Sequence, residues 1–250
     1  MLSILGVGVC CPNAELLDLN GIKGRDVDKN LLPSGIRRRT SSNTRMAVTA
    51  ASDACQHSGI DAATVPSVFA SLGGEIQVTD SLCMVLPDQD ALLSPTQFHN
   101  SVHNTTAGYW SIITGSQQPI TAIAAEFDTF AIGLLEAWCQ LQFYDQPLLF
   151  VCYDELWPQY LCPPIGEQAF ACALVLQRDD AIAGNALGKI NQPRWQSGAE
   201  KQVGEPLLTF MRSAPAAVAI PLLSAIQQGI SKESILLSIG GYDWVADLEI

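Results

Sequence analysis

Charge is what this sequence has least of. Asp, Glu, Lys and Arg make up 15% of its 250 residues, against about 25% in an ordinary soluble domain. Basic residues are scarcer still, 13 against 25 acidic ones, for a net charge of −12. With twelve surplus negative charges there is no broad basic face, which excludes nucleic acid as a partner. No window holds 18 consecutive apolar residues, so no membrane span is expected. The eight cysteines, at positions 10, 11, 55, 83, 139, 152, 162 and 172, never fall at C-x-x-C spacing, which argues against zinc and disulfide frameworks. Gly6-Val7-Gly8 lacks the third glycine and the following helix of a dinucleotide fingerprint. Internal repeats and low-complexity tracts are absent. The apolar start, Leu2 to Cys11, has no basic flank and no small-residue cleavage site, so it reads as the first strand of a cytoplasmic protein.

What the chain does have is apolar surface. Hydrophobic residues reach 48%, which excludes disorder and leaves too few charged side chains to cover an ordinary monomer. Part of the surface is therefore expected to meet a partner. Most cysteines sit inside apolar runs, where they act as small buried hydrophobes of a reducing compartment.

Periodicity predicts the element order β, α, β, α, β, α, β, β. Ser3–Cys11 reads as a buried strand, followed by an irregular stretch to Asn43. A helix from Met46 to His57, capped by Thr44, ends at Gly59. Pro66–Leu72 reads as a strand, and Pro95 opens a helix to Thr114 with Phe98, Val102, Thr105, Tyr109 and Ile112 on one face. Strand Pro119–Ala125, helix Thr129–Phe143 and strands Pro147–Tyr153 and Phe170–Gln177 complete an α/β pattern with a mainly parallel sheet. Beyond Asp179 the pattern weakens to strands at Gly188–Trp195, Ile235–Ile239 and Asp243–Ile250, and a helix at Pro215–Gln228.

Three groups of residues carry possible chemistry. The turn Ala124-Ala125-Glu126-Phe127-Asp128 joins a strand directly to a helix N-terminus, a geometry that exposes and activates nucleophiles. It holds neither thiol nor hydroxyl. His99 and His103 stand at i, i+4, a spacing compatible with a metal, with acid–base work or, as the sequence favours, with structural hydrogen bonds. Arg37-Arg38-Arg39 with Arg45 forms the one basic cluster, either a solvated loop or a docking point for a phosphate or an acidic protein. Asn104-Thr105-Thr106 matches a glycosylation sequon, but the cytoplasmic reading leaves it unmodified.

Several of these motifs together resemble the N-terminal half of the β-ketoacyl synthases. They are Gly35-Ile36-Arg37-Arg38-Arg39, the segment Phe98-His99-Asn100-Ser101-Val102-His103-Asn104-Thr105-Thr106-Ala107-Gly108, Ala131-Ile132-Gly133 after the strand and turn, and Tyr153-Asp154-Glu155 after a buried strand. The resemblance implies a thiolase-like α/β fold, with residues 1–180 as the ketosynthase-like half and 181–250 as a truncated second half packed on the same domain. Counting back from Gly133 by the family's spacing places Ala125 where the acyl-accepting cysteine belongs, and Asp128 where a glycine belongs. The two catalytic histidines of the family's second half have no counterpart, because no histidine follows His103.

The resemblance thus implies a non-catalytic chain-length factor of type II polyketide or aryl polyene systems, paired with an active ketosynthase and needing no cofactor or metal. Pairing would use strand Pro119–Ala125, including Ile120 and Ala122. Phe98, His99, Val102, His103, Thr106, Tyr109 and Phe127 would line the interface or the acyl tunnel. Acyl carrier protein would be met through the partner, with Arg37, Arg38 and Arg39 as a local docking point. Two other readings compete: an acyl hydrolase or transferase using Cys83 or Cys139 with His99 or His103, and a module that binds acyl carrier protein alone. The chain's own negative charge disfavours the last, since carrier proteins are acidic.

Overall fold

The computed structural model describes residues 1–88, 90, 92–161, 169–179, 186–198, 203–240 and 242–250, without the side chains of residues 14 and 16. The first strand, β1 (Leu2–Cys10), leads through short helices α1 (Ala14–Leu19) and α2 (Ser34–Arg37) to α3 (Ser42–Ser58). Then come β2 (Ser67–Ala70), α4 (Ile76–Cys83), α5 (Pro95–Asn100), α6 (Thr105–Thr114), β3 (Ile120–Ile123) and α7 (Thr129–Leu141). After them run β4 (Leu148–Asp154), β5 (Phe170–Arg178), β6 (Gly188–Ile190), β7 (Arg194–Trp195), α8 (Glu205–Ser213), a 3₁₀ turn over Pro215–Ala219, α9 (Ile220–Gln228), β8 (Lys232–Leu236) and β9 (Trp244–Glu249).

The strands join in one sheet of order β3-β2-β4-β5-β1-β6-β9-β7, with β8 on β9. The sheet is mixed, which corrects the expected parallel one. Strands β2, β3 and β4 run parallel, whereas β4–β5, β1–β5, β1–β6 and β6–β9 are antiparallel. Strands buried on both faces read as continuous apolar runs whichever way they point. Their period-2 alternation feeds two cores. Phe150 and Cys152 meet Phe130, Leu134 and Val218 on one face, while Leu149, Val151 and Tyr153 meet Ala47, Ala51 and Trp110 on the other.

Glycine sets how closely α3 lies on the sheet. A Cβ at Gly8 would stand 1.9 Å from the Ala50 carbonyl oxygen, and one at Gly6 would stand 2.2 Å from that of Ala54. Helix backbone therefore rests directly on strand backbone, and any side chain at either position would push them apart. The helix starts at Ser42 with Ser41 as cap, its Oγ accepting from the Thr44 N–H at 2.9 Å, so Thr44 lies inside the helix and not at its cap.

The single helix expected over Pro95–Thr114 is two helices. The Ser101 N–H closes α5 on the Phe98 carbonyl, and α6 starts afresh at Thr105. The break destroys the expected common face: Phe98, Val102 and Ile112 are exposed, whereas Thr105, Thr106 and Tyr109 are buried. Downstream, the expected strand Gly188–Trp195 is two short strands, and the expected helix at Pro215 begins as a 3₁₀ turn. Cys10, Cys11, Cys55, Cys152 and Cys172 are buried as expected, whereas Cys83 and Cys139 are exposed. Cys162 lies outside the described residues.

Candidate functional site

Strands β2, β3 and β4 end side by side, and three loops meet beyond their carboxyl ends, where open α/β sheets place their sites. The first is the turn 124–128 between β3 and α7. It is held by Thr129, whose Oγ1 donates to the Glu126 carbonyl at 2.6 Å and accepts from the Ala125 N–H at 3.0 Å. The Asp128 N–H closes the turn on the Ala125 carbonyl at 2.9 Å. The geometry forces Glu126 into the left-handed region, at φ 49°. A side chain there costs about 1–2 kcal/mol, and the added freedom of a glycine costs about 0.5–1 kcal/mol. Glu126→Gly is therefore expected to stabilise the fold by about 0.5–1 kcal/mol, read as a Tm rise of about 2–3 °C. A fall in Tm would reveal a contact of the Glu126 side chain that outweighs the strain.

The second loop is Ser71–Glu75, anchored by Asp154 at the end of β4. The buried Asp154 carboxylate accepts from Ser71 Oγ at 3.1 Å, the Leu72 N–H at 2.8 Å and the Ala216 N–H at 2.8 Å. Burial raises its pKa to about 6 against the pull of these donors. The third loop follows β4. There Glu155 Oε1 accepts from the Gln77 N–H at 3.0 Å, so a distant carboxyl caps the first turn of α4. Burial, with Glu75 and Asp154 close by, pushes the Glu155 pKa to about 8.

That shift has a sign. The folded-state value lies above the ordinary 4.5, so the folded protein holds the proton more tightly than the unfolded chain. The stabilisation is complete below the unfolded value and is lost as pH rises through about 8. Glu155→Gln, which keeps the acceptor and loses the titration, is expected to raise Tm by several degrees at pH 9 and to change it little at pH 5. Thermal melts at the two pH values check this.

A fourth segment, not singled out from the sequence, closes over the first turn. Ser238 donates to the Asp128 carboxylate and accepts from the Gly240 N–H at 2.9 Å. A Cβ at Gly240 would stand 2.2 Å from Asp128 Oδ1, so the loop lies against the carboxylate with no room for a side chain. The contact spans 110 residues of chain and left no local signal to read.

The expected site residues divide. Ala125 stands in the turn as counted from Gly133, half-buried, with Glu126 and Phe127 exposed beside it. His103 Nε2 lies 2.8 Å from the Ser71 carbonyl oxygen, and the His99 ring meets Tyr109 edge-on at 6.5 Å. The two imidazoles are thus bound to different partners, and the i, i+4 pairing assumed for them is not formed because the helix breaks between them. Thr106 bonds Glu75 at 3.1 Å, and Tyr109 bonds Asn100 at 3.0 Å, both inside the subunit. Phe98 and Val102 face outward. Ile120 and Ala122 are half-buried on β3, an outer strand that pairs with β2 alone among the described residues.

Arg37 is half-buried and donates to the Lys29 carbonyl at 3.2 Å. Arg38 and Arg39 are exposed and form no ion pair among the described residues. Cys83 and Cys139 are exposed on α4 and α7, neither in the turn that presents a helix N-terminus. No helix of the described residues is long and apolar enough to cross a membrane.

Comparison with known proteins agrees with this architecture. Among solved structures, the chain is similar to one in the complex of the ketosynthase ApeO with its chain length factor ApeC from Xenorhabdus doucetiae, at 20% identity and TM-score 0.69, covering 100% of this chain and 99% of that one. It is similar to a chain of the type II acyl-carrier protein–ketosynthase complex AntDE:AntF, at 11% identity and TM-score 0.69, covering 99% and 98%. A β-ketoacyl synthase from Burkholderia phymatum STM815 gives 12% identity and TM-score 0.63, covering 92% and 70%. No curated protein matches the chain. Residues 19–219 match the family described as "Beta-ketoacyl synthase, N-terminal domain", and with the thiolase-like arrangement of its sheet this chain belongs to that family.

Proposed function

We propose that this chain is a catalytically silent chain-length factor that pairs with an active β-ketoacyl synthase in the cytoplasm and sets product length, in aryl polyene or related polyketide synthesis. The observation that carries the reading is the turn between β3 and α7. Its geometry would present a nucleophile at a helix N-terminus, yet Ala125 and Glu126 stand there, and no histidine follows His103. An alanine methyl group cannot attack a thioester, and a carboxylate makes a poor acyl carrier. The chemistry then belongs to the partner.

The surface supports pairing. Exposed Phe98, Val102, Leu92 and Leu93 lie on α5 and its flanks, and the far edge of β3 pairs with no other strand among the described residues. Apolar exposure of this kind, rimmed by polar groups, marks interaction surfaces. The solved complexes of a ketosynthase with its chain length factor, to which this fold is similar, make that type of partner the natural candidate. Arg38 and Arg39, exposed and without ion pairs among the described residues, would add a point of contact for acyl carrier protein arriving at the partner.

Co-expression with the ketosynthase encoded beside it tests the reading. A stable 1:1 complex is expected, in which replacing the partner's nucleophile abolishes elongation, while Ala125→Ser in this chain leaves it unchanged. A soluble monomer that ignores the ketosynthase would overturn the proposal.

A further inference from the structure

Where the end of α1, the start of α8, α9 and the start of β8 meet, the surface opens into a cleft of about 760 Å³. Ile220 and Ala225 of α9 line it and are buried, Leu207 is half-buried, and Leu19 and Ile230 are exposed. The size lies within the range of small-molecule sites, about 300–1,000 Å³, and so does the make-up, mostly apolar with few polar groups.

Those polar groups are unequal. Ser224 Oγ donates to the Asn20 carbonyl at 2.8 Å, and Gln228 Nε2 donates to Ser224 Oγ at 2.8 Å, so these side chains are already engaged within the chain. Lys232, the first residue of β8, is the only ionisable side chain lining the cleft among the described residues. It is exposed and forms no ion pair among them. A chain with a net charge of −12 thus carries an apolar cleft whose one charge is positive.

These two properties select a ligand. Removal of apolar surface from water drives a hydrocarbon chain or ring into the cleft. A lysine can lay its stem along apolar surface and keep its ammonium at the water's edge, where it meets an anionic head group as a point charge. One cation, with no arginine fork beside it, balances the single charge of a carboxylate and not the two of a phosphate monoester.

We infer that this cleft is a binding site for an amphipathic carboxylic acid, with Lys232 holding the carboxylate and the apolar body lying over Ile220 and Ala225. Lys232 opens β8, which pairs with β9, whereas the proposed pairing strand β3 stands at the opposite end of the sheet. The site therefore does not depend on the proposed pairing and would serve a catalytic or a silent protein alike.

Calorimetric titration of the full chain with decanoate, decanol and decyltrimethylammonium, each below the concentration at which it forms micelles, tests this. Saturable 1:1 binding of decanoate is expected, with decanol on the order of 10-fold weaker and the ammonium compound weaker still. Lys232→Met, at an exposed position, keeps the apolar cleft and should erase the preference, so that decanoate and decanol bind alike. Ile230→Asp, also at an exposed position, removes apolar surface from the cleft and adds a negative charge, and should weaken decanoate more than decanol. The inference is overturned if decanoate shows no saturable binding or if decyltrimethylammonium matches it. Survival of the carboxylate preference in Lys232→Met, or unchanged decanoate binding in Ile230→Asp, would overturn it equally.

Discussion

Ala122→Pro should sharply weaken the complex with the proposed partner ketosynthase while leaving this chain folded. The Ser67 N–H donates to the Pro119 carbonyl at 3.0 Å and the Ser71 N–H to that of Ile123 at 3.1 Å, so these carbonyls face β2. By the alternation of a strand, the backbone groups of Ile120 and Ala122 point the other way, to the open edge. Proline at residue 122 removes a donor that β2 does not use and is tolerated on an outer strand. If β3 adds to its counterpart in the partner, the substitution removes a ladder hydrogen bond and distorts its neighbours. At about 1 kcal/mol for each of two or three bonds, affinity falls on the order of 100-fold. Size-exclusion chromatography and titration calorimetry of the co-expressed pair would show it. An intact complex would place the interface elsewhere, and Thr121→Pro, which breaks the bond to β2, serves as the unfolding control.

The second expectation concerns product length. If the proposed chain-length role holds, Phe98→Ala and Val102→Ala should lengthen the product of the complex by one or more extension cycles, with the 1:1 assembly retained. Phe98 projects from α5 and Val102 from the break that follows it, both into solvent, Phe98 being 66% exposed and Val102 51%. Residues this apolar and this uncovered are placed to meet a partner, where shortening them deepens whatever cavity they floor. Tyr109→Ala should instead unfold the region, because the Tyr109 hydroxyl bonds Asn100 and its ring lies in the core. Mass spectrometry of the products decides the matter. Unchanged length in both exposed variants would reject the tunnel role and leave pairing untouched.

Strand and helix positions were legible because burial leaves apolar runs and stripes, as in Leu148–Asp154 and Thr129–Leu141. Strand direction was not, since Phe170–Arg178 would read alike in either orientation. The break at Ser101–Asn104 was hidden by a periodicity that runs through it. His103 leaves the helix to reach the Ser71 carbonyl, a contact 32 residues away that no local window contains. At the site, the sequence pointed to the turn between β3 and α7, yet neither the left-handed Glu126 nor the Ser238–Gly240 loop was visible. Turn strain and loop closure depend on partners distant in the chain. Reading Phe98, Val102, Thr105, Tyr109 and Ile112 as one face failed for the same reason, because two helices replaced one.

The Asp154 carboxylate accepts from residues 71 and 72 on one side and from residue 216 on the other. Strand β1 likewise pairs with residues 171–178 and 188–190, so its neighbours in the sheet lie far along the chain from it. Sequence separations this long slow folding and extend the time during which unpaired strands are exposed. The sheet is therefore expected to close only after residues 171–178 and 188–190 have been made, with β1 unpaired until then.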